Sequence, residues 1–361
     1  MKGGYWLGLS RISGLGIRTA LRLLEQYSSI EQLWSASDNE ILNASGVSQG
    51  QLQTFIKFRN EFDYNAAIRS LSEQGIGFIH MDSTDYPDTL RALYNPPLVL
   101  YYKGDITLLN TPAVGIVGSR KATHYGKRVS YEYAKGIAAS NLTIVSGMAL
   151  GIDTEAHKGA LSVNGKTVAV LGCGVDICYP KANKELYDTI SEKGVLISEF
   201  LPQSEPNARN FPIRNRLISG LSLGIVIVEA AKKSGSLITT DFALEQGKEV
   251  FAVPGPITSQ NSKGTNELIK QGAVLTDTVN VVLDKLEQER SLFENITETP
   301  KKAAISLEEK QLINIVSGAP VHIDQLVEES KYPVERINSM LLFLEIKGLV
   351  KRLPGRFYQA L

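Results

Sequence analysis

The residues of this chain best suited to chemistry are arginines set around an aromatic ring. The stretch Pro206–Leu217, PNARNFPIRNRL, holds Arg209, Arg214 and Arg216 within eight residues and no acid. Phe211-Pro212 sits inside the series, and Asn215 separates the last two arginines. Guanidinium groups track phosphates while a base stacks on an exposed ring, so this pattern suits a single-stranded nucleic acid. Arg120, Lys181 and Lys184 stand at other expected strand-end loops and add positive charge. Three small-residue turns complete the set: Gly118-Ser119-Arg120, Ser146-Gly147 with the following MALG, and Ser234-Gly235-Ser236. Small residues let a phosphate or polymer approach the main chain, where helix N-termini present free N–H groups. Ser234 is also expected to be a plain N-cap.

Positioning these turns requires alternating strands and helices. Between residues 112 and 285 the strand candidates are Val114–Gly118, Thr143–Ser146, Thr167–Leu171, Val195–Ser198, Ile225–Glu229, Val250–Val253 and Ala273–Leu275. Helical patterns lie between most of them, and apolar runs such as GIVIV suit strands buried on both faces of a parallel sheet. The expectation is a doubly wound, mostly parallel α/β domain with its ligand at the carboxyl ends of the strands. The G-x-G-x-x-G dinucleotide fingerprint is absent, and Asp153 reads as the N-cap of a helix over Thr154–Leu161. No G-x-S-x-G elbow, P-loop, HExxH or metal-ligand spacing is present. His157 reads as a helix-surface or capping residue. No cofactor, metal or catalytic residue is therefore expected.

Residues 3–60 read as short helices with two Gly-containing turns, Ile12–Ile17 and Leu42–Val47, each ahead of an amphipathic helix. This has the form of a helix-hairpin-helix, whose first turn can point amides at a phosphate. Gly75–His80 and Leu98–Tyr102 read as strands that extend the sheet or cover its edge. Between them runs the connector DYPDTLRALYNPP. Residues 287–304 are expected to be a polar linker. The last fifty residues have the order of a winged helix-turn-helix, its third helix over Pro333–Lys347 heavily apolar. The domain expectation is thus helical 1–70, α/β 71–286, linker 287–304 and winged helix 305–361.

Composition bounds the function classes. The 361 residues are 43% hydrophobic and 21% charged, with formal net charge +0, which describes an ordinary globular chain. Residues 112–285 carry 19 Lys and Arg against 16 Asp and Glu, an excess of three, so a basic groove is expected rather than a basic coat. No apolar run is long enough for a membrane span, and MKGGYWLGLSRISG has no signal-peptide core. The cytoplasm is the expected compartment, with Cys173 and Cys178 as reduced thiols.

GSRKATHYG, SGMALGIDTEAH, LGCGVDICYPKAN, FPIRNRLISGLS, KSGSLITTDFALEQGKEVFAVPG and SKGTNELIKQGA, in this order, resemble the DNA-processing protein A (Smf) family of bacteria. The resemblance implies an extended Rossmann-like domain flanked by a helical helix-hairpin-helix or SAM-like domain and a winged helix. It implies a homodimer that binds single-stranded DNA without sequence preference, protects it and promotes RecA loading in natural transformation and recombination. The site residues it implies are Arg120, Phe211, Arg214, Arg216 and Lys181. Ala208 stands where many members carry a basic residue, with Arg209 beside it. GTNELIKQGA resembles the family's dimer contact and points to Leu268 and Ile269. An enzyme alternative is a nucleoside-monophosphate phosphoribohydrolase, to which the SGxAxGID and SGS loops are also similar. Its catalytic glutamate would correspond to a displaced Glu245.

Overall fold

The computed structural model describes residues 2–287 and, beyond them, 307–317, 321–330, 332–334, 336–337, 340–341, 344, 350–353 and 357–360. The expected linker, apart from Glu287, lies outside the described residues. The chain divides into two compact units, Met1–Gln288 and Glu289–Leu361.

The first unit opens with six helices: α1 (Lys2–Arg11), α2 (Ile17–Leu24), α3 (Ile30–Ser35), α4 (Asp38–Leu42), α5 (Gln49–Glu61) and α6 (Tyr64–Glu73). Side-chain caps from Ser29, Ser37, Ser48 and Asp63 begin four of them, each satisfying an N–H that the first turn leaves unpaired. Their apolar faces do not close on themselves alone. Leu7, Leu23, Leu33 and Phe55 share one buried cluster with Tyr101, Ala169 and Leu196 of the sheet.

The sheet has nine strands. β1 (Gly77–His80), the short α7 (Asp88–Arg91) and β2 (Val99–Gly104) are followed by β3 (Ala113–Val117), β4 (Thr143–Ser146), β5 (Thr167–Val170), β6 (Val195–Ser198), β7 (Gly224–Ile227), β8 (Glu249–Ala252) and β9 (Val274–Leu275). Their spatial order is β1-β2-β6-β5-β4-β3-β7-β8-β9. Every pair from β6 across to β9 is parallel. β1 and β2 add antiparallel strands at the β6 edge, so this segment extends the sheet. All residues of β3 to β7 are buried, as strands covered on both faces must be. The covering helices are α8 (His124–Ala139), α9 (Ile152–Ser162), α10 (Lys184–Lys193), α11 (Asn210–Gly220), α12 (Gly235–Glu245) and α13 (Lys263–Lys270).

The strand order fixes where a ligand can enter. From β3 the chain lays β4, β5 and β6 to one side, then returns to place β7 on the other. Loops leaving two such neighbouring strands diverge, and a crevice opens at their carboxyl ends. Here those ends are Val117–Lys121 after β3 and Val228–Ser234 after β7.

The second unit contains α14 (Leu307–Val316), β10 (Val321–His322), α15 (Ile323–Ser330), β11 (Val350–Leu353) and β12 (Phe357–Ala360). Its strands form an antiparallel sheet in the order β10-β12-β11. Ile337, Met340, Leu341 and Leu344 are helical and pack with Leu312, Leu326, Val350 and Tyr358. These four apolar residues of the third expected helix are therefore core, whereas Val334 is exposed. Asn338, Lys347 and the Pro354-Gly355 turn lie outside the described residues.

Candidate nucleic-acid interface

The crevice at the β3/β7 switch point is a cleft of about 690 Å³. One wall is Val117–Lys121; Ala149 and Asp153 form the floor beside it. Arg214 joins the floor, Tyr179, Ala208, Phe211 and Asn215 line the cleft beside it, and Ser234–Ser236 line it at α12.

Two glycines make this geometry possible. Gly151 has φ +85°, and a Cβ there would lie 2.3 Å from the Ser119 carbonyl oxygen. Its absence lets the loop after β4 lie against the loop after β3, where Ile152 N–H donates to Ser119 O (3.3 Å). Ser119 N–H in turn donates to Glu229 O at 2.8 Å, so the Gly118-Ser119-Arg120 turn is tied to both neighbours. At Gly147 a Cβ would meet both terminal nitrogens of Arg214 at 2.5 Å.

Above this frame Arg120 is exposed, with its guanidinium carbon 5.0 Å from the centre of the Phe211 ring. The Phe211 ring lies 5.6 Å from that of Tyr179, tilted by 34°. It seats over Gly172, where a Cβ would come within 2.7 Å of it. The result is a half-buried ring held in place beneath a guanidinium, the combination that binds bases by their faces and phosphates by charge.

The floor is charged but internally balanced. Arg214 is buried and donates to Gly147 O at 2.8 Å and also to Val170 O. Asp153, also buried, accepts from the N–H groups of Gly147 (3.2 Å) and Ala149 (3.3 Å). Burial pushes the Asp153 carboxyl up to about 6, against the opposing pull of Arg214 and Arg120. Burial pulls Arg214 down to about 10, and Asp153 offsets part of that. The exposed cations in the lining are Arg120 and Lys121; Arg209 is exposed at the N-cap of α11, outside the lining.

Several expectations need correction. Arg216 does not line the cleft: it forms a buried bidentate pair with Glu199, at 2.7 and 2.6 Å, and its Nε donates to Asn95 O. Two residues on a helix differ by about 200°, so Arg216 must face away once Arg214 faces the floor. Ser146 is buried and spends its hydroxyl on Ile116 O at 2.6 Å. Gly147 has its N–H on Asp153 and its carbonyl on Arg214, and neither Ser146 nor Gly147 lines the cleft. Asp153 is not an N-cap; the cap position is Gly151, and the carboxylate folds back onto the preceding loop. His157 is not at the surface. It is fully buried with Nδ1 2.7 Å from Thr167 Oγ1, and burial pulls it down to about 3.

Among the other expected residues, Gly118, Ser119, Arg120, Phe211, Arg214, Asn215, Ser234, Gly235 and Ser236 come together in the walls. Asn215 donates to Gly235 O (3.3 Å), joining α11 to the SGS turn, and Ser234 caps α12 through Ser236 N–H. Lys181 and Arg209 are exposed but outside the cleft walls, and Lys184 pairs with Asp188. Leu268 and Ile269 are half-buried on α13. Glu245 is exposed at the end of α12, away from the walls. Sequence reasoning missed Tyr179 and Lys121, although CYPKAN and GSRK place both at strand-end loops. No helix among the described residues is long and apolar enough to cross a membrane.

Comparison with known proteins adds three matched regions. Residues 77–287 match the model of DNA recombination-mediator protein A, 297–356 the DprA winged helix domain, and 7–58 the SAM-like helix-hairpin-helix tandem. Protein Smf of Escherichia coli is 36% identical over 98% of this chain and 94% of its own length. DNA processing protein DprA of Streptococcus pneumoniae is 45% identical over 76% of this chain and 95% of its own. The X-ray structure of the Streptococcus pneumoniae protein superposes with a TM-score of 0.69 at 37% identity, covering 78% of this chain and 97% of that one. A structure of DNA processing protein A from Helicobacter pylori, described for its single-stranded DNA binding mode, gives 0.54 at 32% identity over 59% and 96%. With a family model spanning more than half its length and relatives matched nearly end to end, this chain belongs to the DNA recombination-mediator protein A family, the DprA/Smf proteins.

Proposed function

We propose that this chain binds single-stranded DNA in the β3/β7 cleft without sequence preference, protects it, and promotes loading of RecA during recombination and natural transformation. The observation that carries this is the Arg120–Phe211 stack held at the sheet's switch point. A face-on aromatic contact accepts any base, and rim cations hold the backbone. The Helicobacter pylori relative, described as binding single-stranded DNA, supports the same ligand here. Arg120, Phe211, the Gly118-Ser119 and Ser234-Gly235-Ser236 turns and Asn215 make the contacts. Arg209 and Lys181 extend them at the mouth, and Arg214 shapes the floor. The protein acts in the cytoplasm as a homodimer through Leu268 and Ile269, with the helical, α/β, linker and winged-helix parts divided at 70, 286 and 304. It works as a binding protein rather than an enzyme, since the glutamate an enzyme would use, Glu245, stands outside the cleft.

A gel-shift comparison of single-stranded, duplex and RNA ligands at two salt concentrations tests this. Single-stranded DNA is expected to bind most tightly and to weaken with salt; preference for duplex, or no shift at all, overturns it. Light scattering on Leu268→Glu and Ile269→Glu is expected to give monomers, and dimers of unchanged stability would remove the assigned interface.

A further inference from the structure

A second guanidinium–aromatic stack lies outside the cleft. Arg18, on α2, stands with its guanidinium carbon 4.0 Å from the centre of the Tyr94 ring, and its Nε reaches Asn95 Oδ1 at 3.3 Å. Tyr94 is 76% exposed. That is a large ring left in solvent on a connector otherwise well anchored: Tyr86 is buried and donates to Pro97 O at 2.7 Å. Arg22 follows Arg18 by one helical turn, also exposed, and the segment IRTALRLL contains no acid. The helix therefore presents two exposed cations one turn apart, Arg18 on the ring and Arg22 beyond it.

This second stack is joined to the cleft through α11. Arg216 donates to Asn95 O, next to Tyr94, and to Ile213 O, two residues from Phe211. Ile213 is itself 47% exposed. Tyr94 and the Phe211 ring are thus linked through Arg216 on α11.

We propose that Tyr94, Arg18 and Arg22 form a second station for the same polynucleotide, carrying single-stranded DNA out of the cleft, over the start of α11 and onto the N-terminal helices. The assignment rests on the cleft being the primary site. Exposed ring, adjacent cations and continuity with the cleft all match an unpaired strand, whose bases offer a face and whose phosphates offer charge. The N-terminal module thereby lengthens the binding site and fixes which end of the strand leaves on its side.

The test uses the full chain and oligo-dT from about 2 to about 30 nucleotides, a range bracketing the site sizes of comparable grooves. Affinities of the wild type, Tyr94→Ala, Tyr94→Phe and Arg18→Ala are measured at each length. The shortest oligonucleotides, which fill only the cleft, are expected to bind all four alike. With the longer ones Tyr94→Ala is expected to lose roughly five- to a hundred-fold, with Tyr94→Phe close to wild type. Arg18→Ala is expected to show a smaller loss and a shallower salt dependence. Equal affinity of Tyr94→Ala and wild type at every length overturns the second station and leaves the cleft untouched. A loss in Tyr94→Ala already present at the shortest length also overturns it, because Tyr94 then acts by supporting α11. Failure of the wild type to bind any length would instead remove the primary site.

Discussion

Arg214 and Arg216 are two residues apart on one helix, and that spacing separates their roles. Arg216 balances Glu199 in a site from which water is largely excluded. Removing one partner strands the other charge, so Arg216→Ala is expected to cost about 3–5 kcal/mol of stability. A large fall in thermal midpoint with unchanged affinity for a short oligo-dT at low temperature checks this. Phe211 should behave oppositely: Phe211→Ala is expected to lose roughly 1–3 kcal/mol of binding while its melting point barely moves. A collapse in the melting point would show that the ring is core. Asp153 adds a pH dependence. Its carboxyl is raised to about 6 by burial, so the native state holds a proton that the unfolded chain releases at lower pH, and this group's contribution to stability falls as pH rises from about 4 to 6. Protonation also removes a negative charge from the cleft. Affinity for oligo-dT is therefore expected to rise as pH falls through about 6, by about 1 kcal/mol or less, and Asp153→Asn should abolish that step. His157, pulled down to about 3, stays neutral throughout that range.

At the scale of elements, the sequence made the strands readable because β3 to β7 are uninterrupted buried runs, β3 and β4 ending at small residues. The strand-end turns, and hence the cleft, followed from the same pattern. What it concealed was the phase of α11. Pro212 interrupts the arginine run on paper, yet proline is tolerated in a first helical turn, and α11 begins at Asn210. Once that start is fixed, Arg214 points to the floor and Arg216 away. Asp153 was misplaced for a related reason. Asp-Thr-Glu looks like a capping sequence, but the positive φ of Gly151 starts the helix one residue earlier than Asp153. The carboxylate is thereby freed to hold the Ser146–Ala149 turn. Ser146 and Gly147 shape the site without facing it, a distinction that residue type alone does not carry. The close approach at Gly147 has its own consequence. Gly147→Ala drives a methyl into the Arg214 guanidinium and is expected to weaken oligo-dT binding through the floor, although Gly147 itself does not line the cleft.

At the scale of the molecule, near-zero net charge and a nucleic-acid site are compatible because the charges are sorted. The acids nearest the cleft are spent internally, Glu199 on Arg216 and Asp153 on the cleft floor, while Arg120 and Lys121 stay exposed in its lining. All of the cleft belongs to the unit ending at Gln288, so a chain truncated there is expected to retain single-stranded DNA binding in a gel shift. Loss of binding by a truncated chain that remains folded would move the site to the C-terminal unit. Backbone grip by the cleft rim is tested most directly by one titration: oligo-dT affinity of wild type and Arg120→Ala across a series of salt concentrations. The wild type is expected to weaken steadily, with a logarithmic slope of about −0.7 per phosphate neutralised. Arg120→Ala is expected to bind less tightly with a slope shallower by about one phosphate's worth. A salt-independent affinity, or an Arg120→Ala line superposed on the wild type, would contradict the claim that the cleft rim grips the DNA backbone.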